Sequence, residues 1–167
     1  MIVAAAKGTF YIFIAYVICV VVILGLQITA LYIRKKKLNE KIEKLANNAL
    51  EMTPEEFLKM RKTNFDKRRS SYMAHNNFSG VYILFNKTKG MYYVGQGKRV
   101  FDRVNQHFTG KGNGDVYADY KYGDEFTIRM IALENSGFSS LNELERNTIA
   151  KYNAYYKGYN KTRGNRG

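Results

Sequence analysis

The stretch GVYILFNKTKGMYYVGQG, residues 80–97, decides the fold of the C-terminal part of this chain. Residues 81–85 alternate with the period of two that is typical of a strand, and residues 91–94 make a second strand-like run. A lysine-rich turn, NKTKG, joins the two runs. The stretch therefore predicts a β-hairpin with one tyrosine in each strand, Tyr82 and Tyr93.

The rest of the C-terminal part alternates between helix and strand patterns. RVFDRVNQHF, residues 99–108, carries an apolar stripe at helical spacing, and FTIRMIAL, residues 126–133, is typical of a strand. The connection between them, residues 109–125, is rich in Gly, Asn and Asp and predicts an ordered loop. Ser140 and Glu143 make a capping box that starts a final helix. This order of elements predicts an α+β domain.

Three polar side chains stand out on the two predicted helices. Arg103 and His107 are four residues apart and are therefore neighbours on one helical face. Glu145 lies on the side of the last helix that also carries Leu141 and Ile149. A carboxylate in an apolar stripe needs a partner, which is a cation, a metal ion or several hydrogen-bond donors.

The pairing of GVY, residues 80–82, with YVG, residues 93–95, resembles the signature of the GIY-YIG nuclease family. Either triplet alone occurs by chance, whereas the two together at this spacing are specific. The resemblance covers about residues 79–163 and implies a small three-stranded antiparallel sheet flanked by helices, an α+β fold. It implies six catalytic residues at matching positions: Tyr82, Tyr93, Arg103, His107, Glu145 and Asn160.

The resemblance implies hydrolysis of a phosphodiester bond in DNA with a single divalent cation, Mg²⁺ or Mn²⁺. Glu145 is the implied metal ligand, because a carboxylate is a hard oxygen donor and waters and substrate phosphate can complete such a site. Arg103 offers a planar fork for two phosphate oxygens. Asn160, in the motif GYN, is expected to anchor the tail near the site through its amide. No small-molecule cofactor is expected.

The roles of the two tyrosines stay open at this point. Tyr82 is a candidate general base or water-positioning group and Tyr93 a donor to the scissile phosphate, but the two roles are interchangeable. A phenol with an ordinary pKa of about 10 is a poor base near neutral pH, so we expect Lys98 and Arg103 to lower the pKa of Tyr82. His107 is expected to hold Tyr82 or the attacking water, or to relay the proton.

Each of these residues also has a purely structural interpretation. Taken alone, the tyrosines are typical of sheet packing, Arg103 of a surface cation, and His107 of a hydrogen-bonded core residue. Glu145 faces solvent if the last helix is slightly rotated. The functional interpretation is favoured because all six residues fall in register with one family.

The 109–125 connection also has two interpretations. Its side chains Lys111, Tyr117, Tyr120 and Lys121 are candidates for tracking a nucleic-acid backbone and stacking on bases. The simpler interpretation is a loop that covers the edge of the sheet.

The N-terminal region carries the second strong pattern. Residues 8–33 hold no charged side chain, and residues 10–33 are apolar apart from Gln27 and Thr29. At about 1.5 Å per residue this run is long enough to cross a bilayer core of roughly 30 Å, so it predicts a transmembrane helix. The basic cluster RKKK, residues 34–37, places the C-terminal side in the cytoplasm. We therefore expect a single-pass protein of the inner, cytoplasmic membrane.

A cleaved signal peptide is the rival interpretation of this run. Its hydrophobic region would be shorter and its basic flank would precede it, whereas Lys7 is the only early basic residue here. Tyr11 and Tyr32 are placed to lie near the two interfaces of the membrane.

The middle of the chain is mixed-charge and rich in helix formers. TPEE, residues 53–56, is a helix start, and the helix is expected to run to about Arg69. The segment is expected to be a solvated stalk or, alternatively, a basic face for DNA phosphates or anionic lipid. The expected organisation is 1–37 for the tail, span and basic flank, 38–78 for a helical basic linker, and 79–167 for the nuclease domain with its basic tail.

The composition bounds the class of function. The formal net charge of +13 favours an anionic partner, nucleic acid or a membrane surface. The single cysteine, Cys19, excludes an intramolecular disulfide. We therefore expect a membrane-anchored endonuclease acting on single- or double-stranded DNA at the cytoplasmic face, with a role in defence against incoming phage or mobile DNA. The alternatives are a non-catalytic membrane-anchored DNA-binding protein and a secreted nuclease with a cleaved N-terminus.

Overall fold

The computed structural model describes residues 2–63 and 76–165, with side chains for residues 13–60 and 76–165. The chain divides into two compact units, Met1–Glu40 and Lys41–Gly167. Helix α1 (Ile2–Asn48) makes up the first unit and contributes its last residues to the second.

In the first unit, the side chains of residues 13–33 of α1 are exposed and, apart from Gln27 and Thr29, apolar. Phe13, Leu26 and Tyr32 are 63%, 66% and 68% exposed. By length and composition, α1 is a candidate membrane span. The side chain of Tyr11, expected near one membrane interface, lies outside the described residues.

The second unit is built on a three-stranded antiparallel sheet, which confirms the predicted α+β fold. Its strands are β1 (Gly80–Asn86), β2 (Met91–Gly97) and β3 (Phe126–Ala132), in the order β2-β1-β3. Tyr82 pairs with Gly95, and Leu84 pairs with Tyr93. Because paired residues point to the same side of a sheet, the two tyrosines share one face.

Helices cover the sheet on both faces. They are α2 (Pro54–Thr63), α3 (Val100–Phe108), α4 (Gly114–Lys121) and α5 (Leu141–Lys151). One core forms on the Tyr82 face with Val104 and Phe108 of α3. The other core forms on the opposite face, where Leu144 and Ile149 of α5 pack against the sheet.

Helix α4 lies where the sequence predicted a loop, so that part of the 109–125 prediction was wrong. Asn113 caps the helix by accepting a hydrogen bond from the backbone N–H of Val116 at 3.0 Å, and the Val116 side chain is fully buried. Tyr120 packs edge-on against Phe108 at 4.9 Å. A cap and tertiary burial outweigh the weak helix propensity of this glycine-flanked segment.

Residues 41–60, predicted as part of a linker, contribute side chains to both cores. Ala46 is fully buried on the α5 face, and Phe57 is fully buried on the Tyr82 face. Met52 forms a β-bridge with Ile128, in which the two backbone hydrogen bonds measure 2.8 and 3.1 Å. The second unit therefore extends well upstream of the first strand.

Helix α2 starts with the predicted capping box. Thr53 Oγ1 accepts from the backbone N–H of Glu56 at 3.2 Å, and the Glu56 carboxylate accepts from the backbone N–H of Thr53 at 2.7 Å. The helix is described as far as Thr63, and its predicted extension to Arg69 lies outside the described residues.

Candidate active site

Two of the six predicted site residues meet in the core. Tyr82 comes from β1, and His107 comes from the last turn of α3. The hydroxyl oxygen of Tyr82 lies 2.9 Å from Nε2 of His107, and the two side chains are 0% and 1% exposed. The hydrophobic stripe of α3 turns His107 inward because Val100, Val104 and His107 repeat at helical spacing.

The backbone of Asn113 determines which nitrogen of His107 carries the proton. The backbone N–H of Asn113 donates to Nδ1 of His107 at 2.9 Å, so Nδ1 must be unprotonated. Burial, aided by the charge of Arg103, lowers the pKa of His107 to about 4, so the ring is neutral near pH 7. The proton therefore lies on Nε2, and His107 donates to the oxygen of Tyr82.

Burial raises the pKa of the Tyr82 phenol well above its usual range, and the neighbouring Tyr93 acts in the same direction. Arg103 lowers the pKa of Tyr82, as expected from the sequence, but burial outweighs it. The expectation of a net lowering by nearby cations was therefore wrong for the free protein. Tyr82 is therefore a neutral phenol in the free protein, and only added positive charge, such as that of a bound cation, would lower its pKa.

Tyr93 lies over the same cluster from strand β2. Its ring centroid is 6.2 Å from that of Tyr82 and 4.6 Å from that of His107. Burial raises its pKa too, whereas its hydrogen bond with Tyr82 and the charge of Arg103 lower it. The charge of Glu145 reaches Tyr93 as well, which joins the tyrosine pair to the α5 side of the site.

Two glycines make room for the tyrosine–histidine pair. A Cβ atom at Gly95 would lie 2.3 Å from the hydroxyl oxygen of Tyr82, and one at Gly112 would lie 2.7 Å from Nδ1 of His107. Both distances are far below van der Waals contact. The absence of a side chain at Gly95, which closes the motif YVG, is therefore a packing requirement of Tyr82.

Arg103 is exposed at the edge of this cluster. Its Nη1 donates to Oε1 of Gln106 at 2.5 Å, one turn along the helix. Among the described residues, no carboxylate forms an ion pair with Arg103. Its charge acts on both Tyr82 and His107, so its guanidinium is available to an anion at the same place.

The carboxylate of Glu145 is held by a side chain of strand β2. Its Oε2 accepts from Nε2 of Gln96 on β2 at 3.0 Å, and the same Gln96 nitrogen donates to Oδ1 of Asn142 at 2.7 Å. Glu145 is 8% exposed, and burial raises its pKa, while the backbone N–H of Asn165 and the Gln96 amide lower it. Gln96 therefore orients the carboxylate.

Asn160 binds the edge strand of the sheet and does not point into the cluster. Its Oδ1 accepts from the backbone N–H of Val94 at 2.8 Å, and its Nδ2 donates to the carbonyl of Val94 at 2.7 Å. Both halves of the amide are used on the residue that follows Tyr93. Asn160 thus holds the C-terminal tail beside the site.

A comparison with protein families matches residues 78–160 to the GIY-YIG catalytic domain. This part of the chain is a GIY-YIG catalytic domain. Comparisons with curated proteins and with solved structures returned no match. The matched range covers the three strands and α3 to α5, which carry the tyrosines, the arginine, the histidine and the glutamate described above.

GIY-YIG nucleases generally use divalent metal ions. Among residues 2–63 and 76–165, no group of three or more His, Cys, Asp or Glu side chains converges. The residues of this GIY-YIG domain nevertheless fit a hydrated hard cation. Glu145 supplies a carboxylate, and the hydrogen bonds from Gln96 and Asn165 both end on its Oε2. Mg²⁺ is commonly held by one or two carboxylates plus water and substrate phosphate.

The sequence prediction missed three contributors to the site of the GIY-YIG domain. They are Gln96, Asn113 and Gly112, which contact Glu145 or His107. Gln96 directly follows the YVG triplet, so its position next to a signature motif was a usable signal. The contact from Asn113 is made by a backbone N–H, and such a contact leaves no trace in residue type.

Proposed function

We propose that this protein is a membrane-anchored, metal-dependent DNA endonuclease that hydrolyses phosphodiester bonds at the cytoplasmic face of the membrane. The observation that carries the proposal is the convergence of Tyr82, Tyr93 and His107 in one hydrogen-bonded cluster beside Arg103 and Glu145. This convergence supports assigning catalytic roles to residues of a GIY-YIG domain, because unrelated core residues have no reason to place these groups together.

The proposed reaction is attack of water on phosphorus with departure of one ester oxygen. A new P–O bond forms to the water oxygen, the P–O ester bond breaks, and the water proton passes to a base while the leaving oxygen gains a proton. Tyr82 is the proposed base and acts as the phenolate, after its own proton has passed to solvent. It returns to the phenol when it takes the proton of the attacking water, and solvent water protonates the leaving oxygen. The N–H that His107 donates to its oxygen, and the guanidinium of Arg103, both stabilise the phenolate form relative to the phenol.

The other residues hold and neutralise the scissile phosphate. Arg103 contributes a planar cation whose two donors match two phosphate oxygens, and Tyr93 contributes a hydroxyl donor next to Tyr82. Glu145, held by Gln96, is the proposed ligand of the divalent cation. When bound, that cation supplies a Lewis acid for the phosphoryl oxygen and positive charge for the developing transition state.

DNA is the proposed substrate because its phosphates match the charge of the chain. The formal net charge is +13, and binding to nucleic acid is driven largely by release of counterions from the phosphates. The sequence shows no helix-turn-helix pattern or zinc-finger ligand set that would read bases. Because the sequence lacks a base-reading motif, we expect the protein to cleave DNA with low sequence specificity or to prefer a particular DNA structure.

Residues 10–33 are the proposed membrane anchor, and the RKKK cluster at 34–37 supports a cytoplasmic C-terminus. A tethered nuclease meets DNA that passes the inner face of the membrane, as phage or conjugating DNA does on entry. Defence against such DNA is therefore the proposed role. Protease treatment of spheroplasts tests the orientation, because digestion of the nuclease domain from outside contradicts it.

The decisive experiment is nicking of supercoiled plasmid by the full chain in detergent, with Mg²⁺, Mn²⁺ or EDTA. We expect metal-dependent nicking by the wild type and its loss in Tyr82→Phe and Glu145→Gln. The matched control is Glu134→Gln, which removes an exposed carboxylate outside the cluster and keeps activity. Binding of DNA without nicking under every metal contradicts the nuclease proposal and favours a DNA-binding anchor.

A further inference from the structure

The C-terminal tail carries an arginine that covers two tyrosine rings. The guanidinium carbon of Arg163 lies 5.4 Å from the ring centroid of Tyr155 and 5.2 Å from that of Tyr156. The two rings meet edge to face, with centroids 4.9 Å apart. Tyr155 packs against the core on the α5 face, so one ring of the cluster is anchored in the fold.

The outer side of this cluster is open to solvent. Tyr156 is 68% exposed, and Arg163 is exposed as well. Lys161 pairs with Asp115, but within the described part of the chain no carboxylate pairs with Arg163. A cation–π contact between exposed groups stabilises a fold only weakly, by about 0.5–1 kcal/mol. The fold therefore offers little reason for a large exposed ring and an unpaired cation at this place.

The tail holds this cluster close to the proposed metal ligand. Upstream of Arg163, Asn160 is bound to the backbone of Val94, next to Tyr93. Downstream, the backbone N–H of Asn165 donates to Oε2 of Glu145 at 3.5 Å. Arg163 therefore lies between two residues that are anchored on the two sides of the candidate active site.

We propose that Tyr156 and Arg163 form a stacking subsite for an unpaired nucleobase that flanks the scissile phosphate. An exposed aromatic ring and a planar guanidinium are the groups on which proteins stack single-stranded bases. A base inside a duplex is already stacked on its neighbours and cannot offer its face. The subsite rests on the proposed nuclease function, and it selects single strands or unpaired junctions as the substrate class.

The experiment measures binding of a labelled single-stranded oligonucleotide, and of the duplex of the same sequence, to the full chain in detergent with EDTA. When one aromatic side chain that stacks on a base is removed, the affinity for the nucleic acid falls about tenfold or more. We therefore expect Tyr156→Ala and Arg163→Ala to weaken single-strand binding by about that factor and duplex binding far less. Tyr156→Phe keeps the ring and is expected to bind as the wild type does.

Two further variants distinguish stacking on a base from two other effects, the charge of Arg163 and the loss of any exposed tyrosine. Arg163→Lys keeps the charge but loses the planar group, so it is expected to bind single strands more weakly. Tyr122→Ala removes another exposed tyrosine, 90% exposed, and is expected to have no effect. Equal weakening of single-strand and duplex binding by Arg163→Ala, with full recovery in Arg163→Lys, overturns the stacking subsite and leaves only a phosphate contact.

Plasmid nicking by the same proteins separates this inference from the nuclease proposal. If the wild type nicks DNA and Tyr156→Ala binds single strands like the wild type, the subsite is overturned and the nuclease function stands. If the wild type neither nicks nor binds any DNA, the nuclease proposal fails and the subsite fails with it. Preferential loss of single-strand binding in Tyr156→Ala supports the subsite.

Discussion

His107 Nε2 donates to the hydroxyl oxygen of Tyr82 across 2.9 Å, and the backbone N–H of Asn113 fixes the direction of this bond by occupying Nδ1. The histidine is therefore a donor to the tyrosine. It cannot accept the proton of Tyr82 through Nε2 without first losing its own. In this arrangement His107 positions Tyr82 and stabilises its phenolate form, which makes it a positioning residue.

Two substitutions of His107 separate its two nitrogens. Glutamine can place an amide N–H near the Nε2 position, whereas asparagine can place an oxygen near the Nδ1 position and cannot reach Tyr82. We expect His107→Gln to keep part of the nicking rate and His107→Asn to lose about 10²-fold. The check is the single-turnover rate across a range of pH. Equal rates for the two variants would contradict the direction of the bond.

The folding stability of the wild type is expected to fall between about pH 7 and about pH 5 because of His107. Its pKa is about 4 in the folded protein, below the ordinary value of 6.5, so the unfolded chain binds a proton that the folded one excludes. The contribution of His107 is fully present above about pH 6.5 and is lost as the pH falls toward about 4, roughly 2 kcal/mol of it by about pH 5.

Thermal unfolding in detergent at the two pH values measures this effect. His107→Gln serves as the control because it removes the titrating group and should show a smaller pH dependence. NMR titration of the His107 imidazole is a second test. A pKa of His107 near its ordinary value would contradict the prediction.

Gly95→Ala is expected to abolish nicking and to destabilise the domain by about 1–3 kcal/mol. The new Cβ would lie 2.3 Å from the Tyr82 hydroxyl oxygen and would displace it from His107. Gly114→Ala is the matched control, since a Cβ there meets no atom within 4 Å. Nicking rates and unfolding midpoints of the two variants test the prediction, and wild-type activity in Gly95→Ala would be evidence against a catalytic Tyr82.

Gln96→Leu is expected to raise the Mg²⁺ concentration needed for half-maximal nicking by about 10-fold or more. The substitution removes the hydrogen bond that Gln96 donates to Glu145 at 3.0 Å, so the carboxylate loses its orientation. Asn142→Ala is the control, because it leaves that bond in place and removes only the second acceptor of the amide. The measurement is the nicking rate of each variant as a function of the Mg²⁺ concentration. If Gln96→Leu needs the same Mg²⁺ concentration as the wild type, Gln96 does not orient the metal ligand.

Phe57→Ala is expected to destabilise the second unit by about 3–5 kcal/mol. Phe57 is fully buried in the core on the Tyr82 face, although it precedes the matched domain. Leu50→Ala, at a position 72% exposed, serves as the control and should change stability by less than about 0.5 kcal/mol. Unfolding midpoints measure both, and a neutral Phe57→Ala would show that the buried ring of Phe57 does not stabilise the fold.

Much of the fold could be predicted from local patterns. The hairpin around NKTKG follows from strand periodicity, and the helix starts at Thr53 and Ser140 follow from their capping patterns. The structure forms both halves of the capping box at Thr53, whereas at Ser140 the hydroxyl caps Glu143 and the Glu143 carboxylate accepts from the backbone N–H of Ser139. The positions of Tyr82 and Tyr93 on one face follow from their place in the hairpin register. These features depend on near neighbours in the chain, so residue type and spacing are enough to predict them.

The sequence by itself therefore determined the hairpin, the apolar N-terminal run and the spacing of the six candidate residues. Only the tertiary structure decided that α4 replaces a loop, that residues 41–60 enter both cores, and that Gln96 holds Glu145. It also decided the protonation of Tyr82 and His107, because their pKa values depend on burial and on groups far away in the chain. Local patterns encode periodicity and caps, whereas desolvation and long-range contacts exist only once the chain has folded.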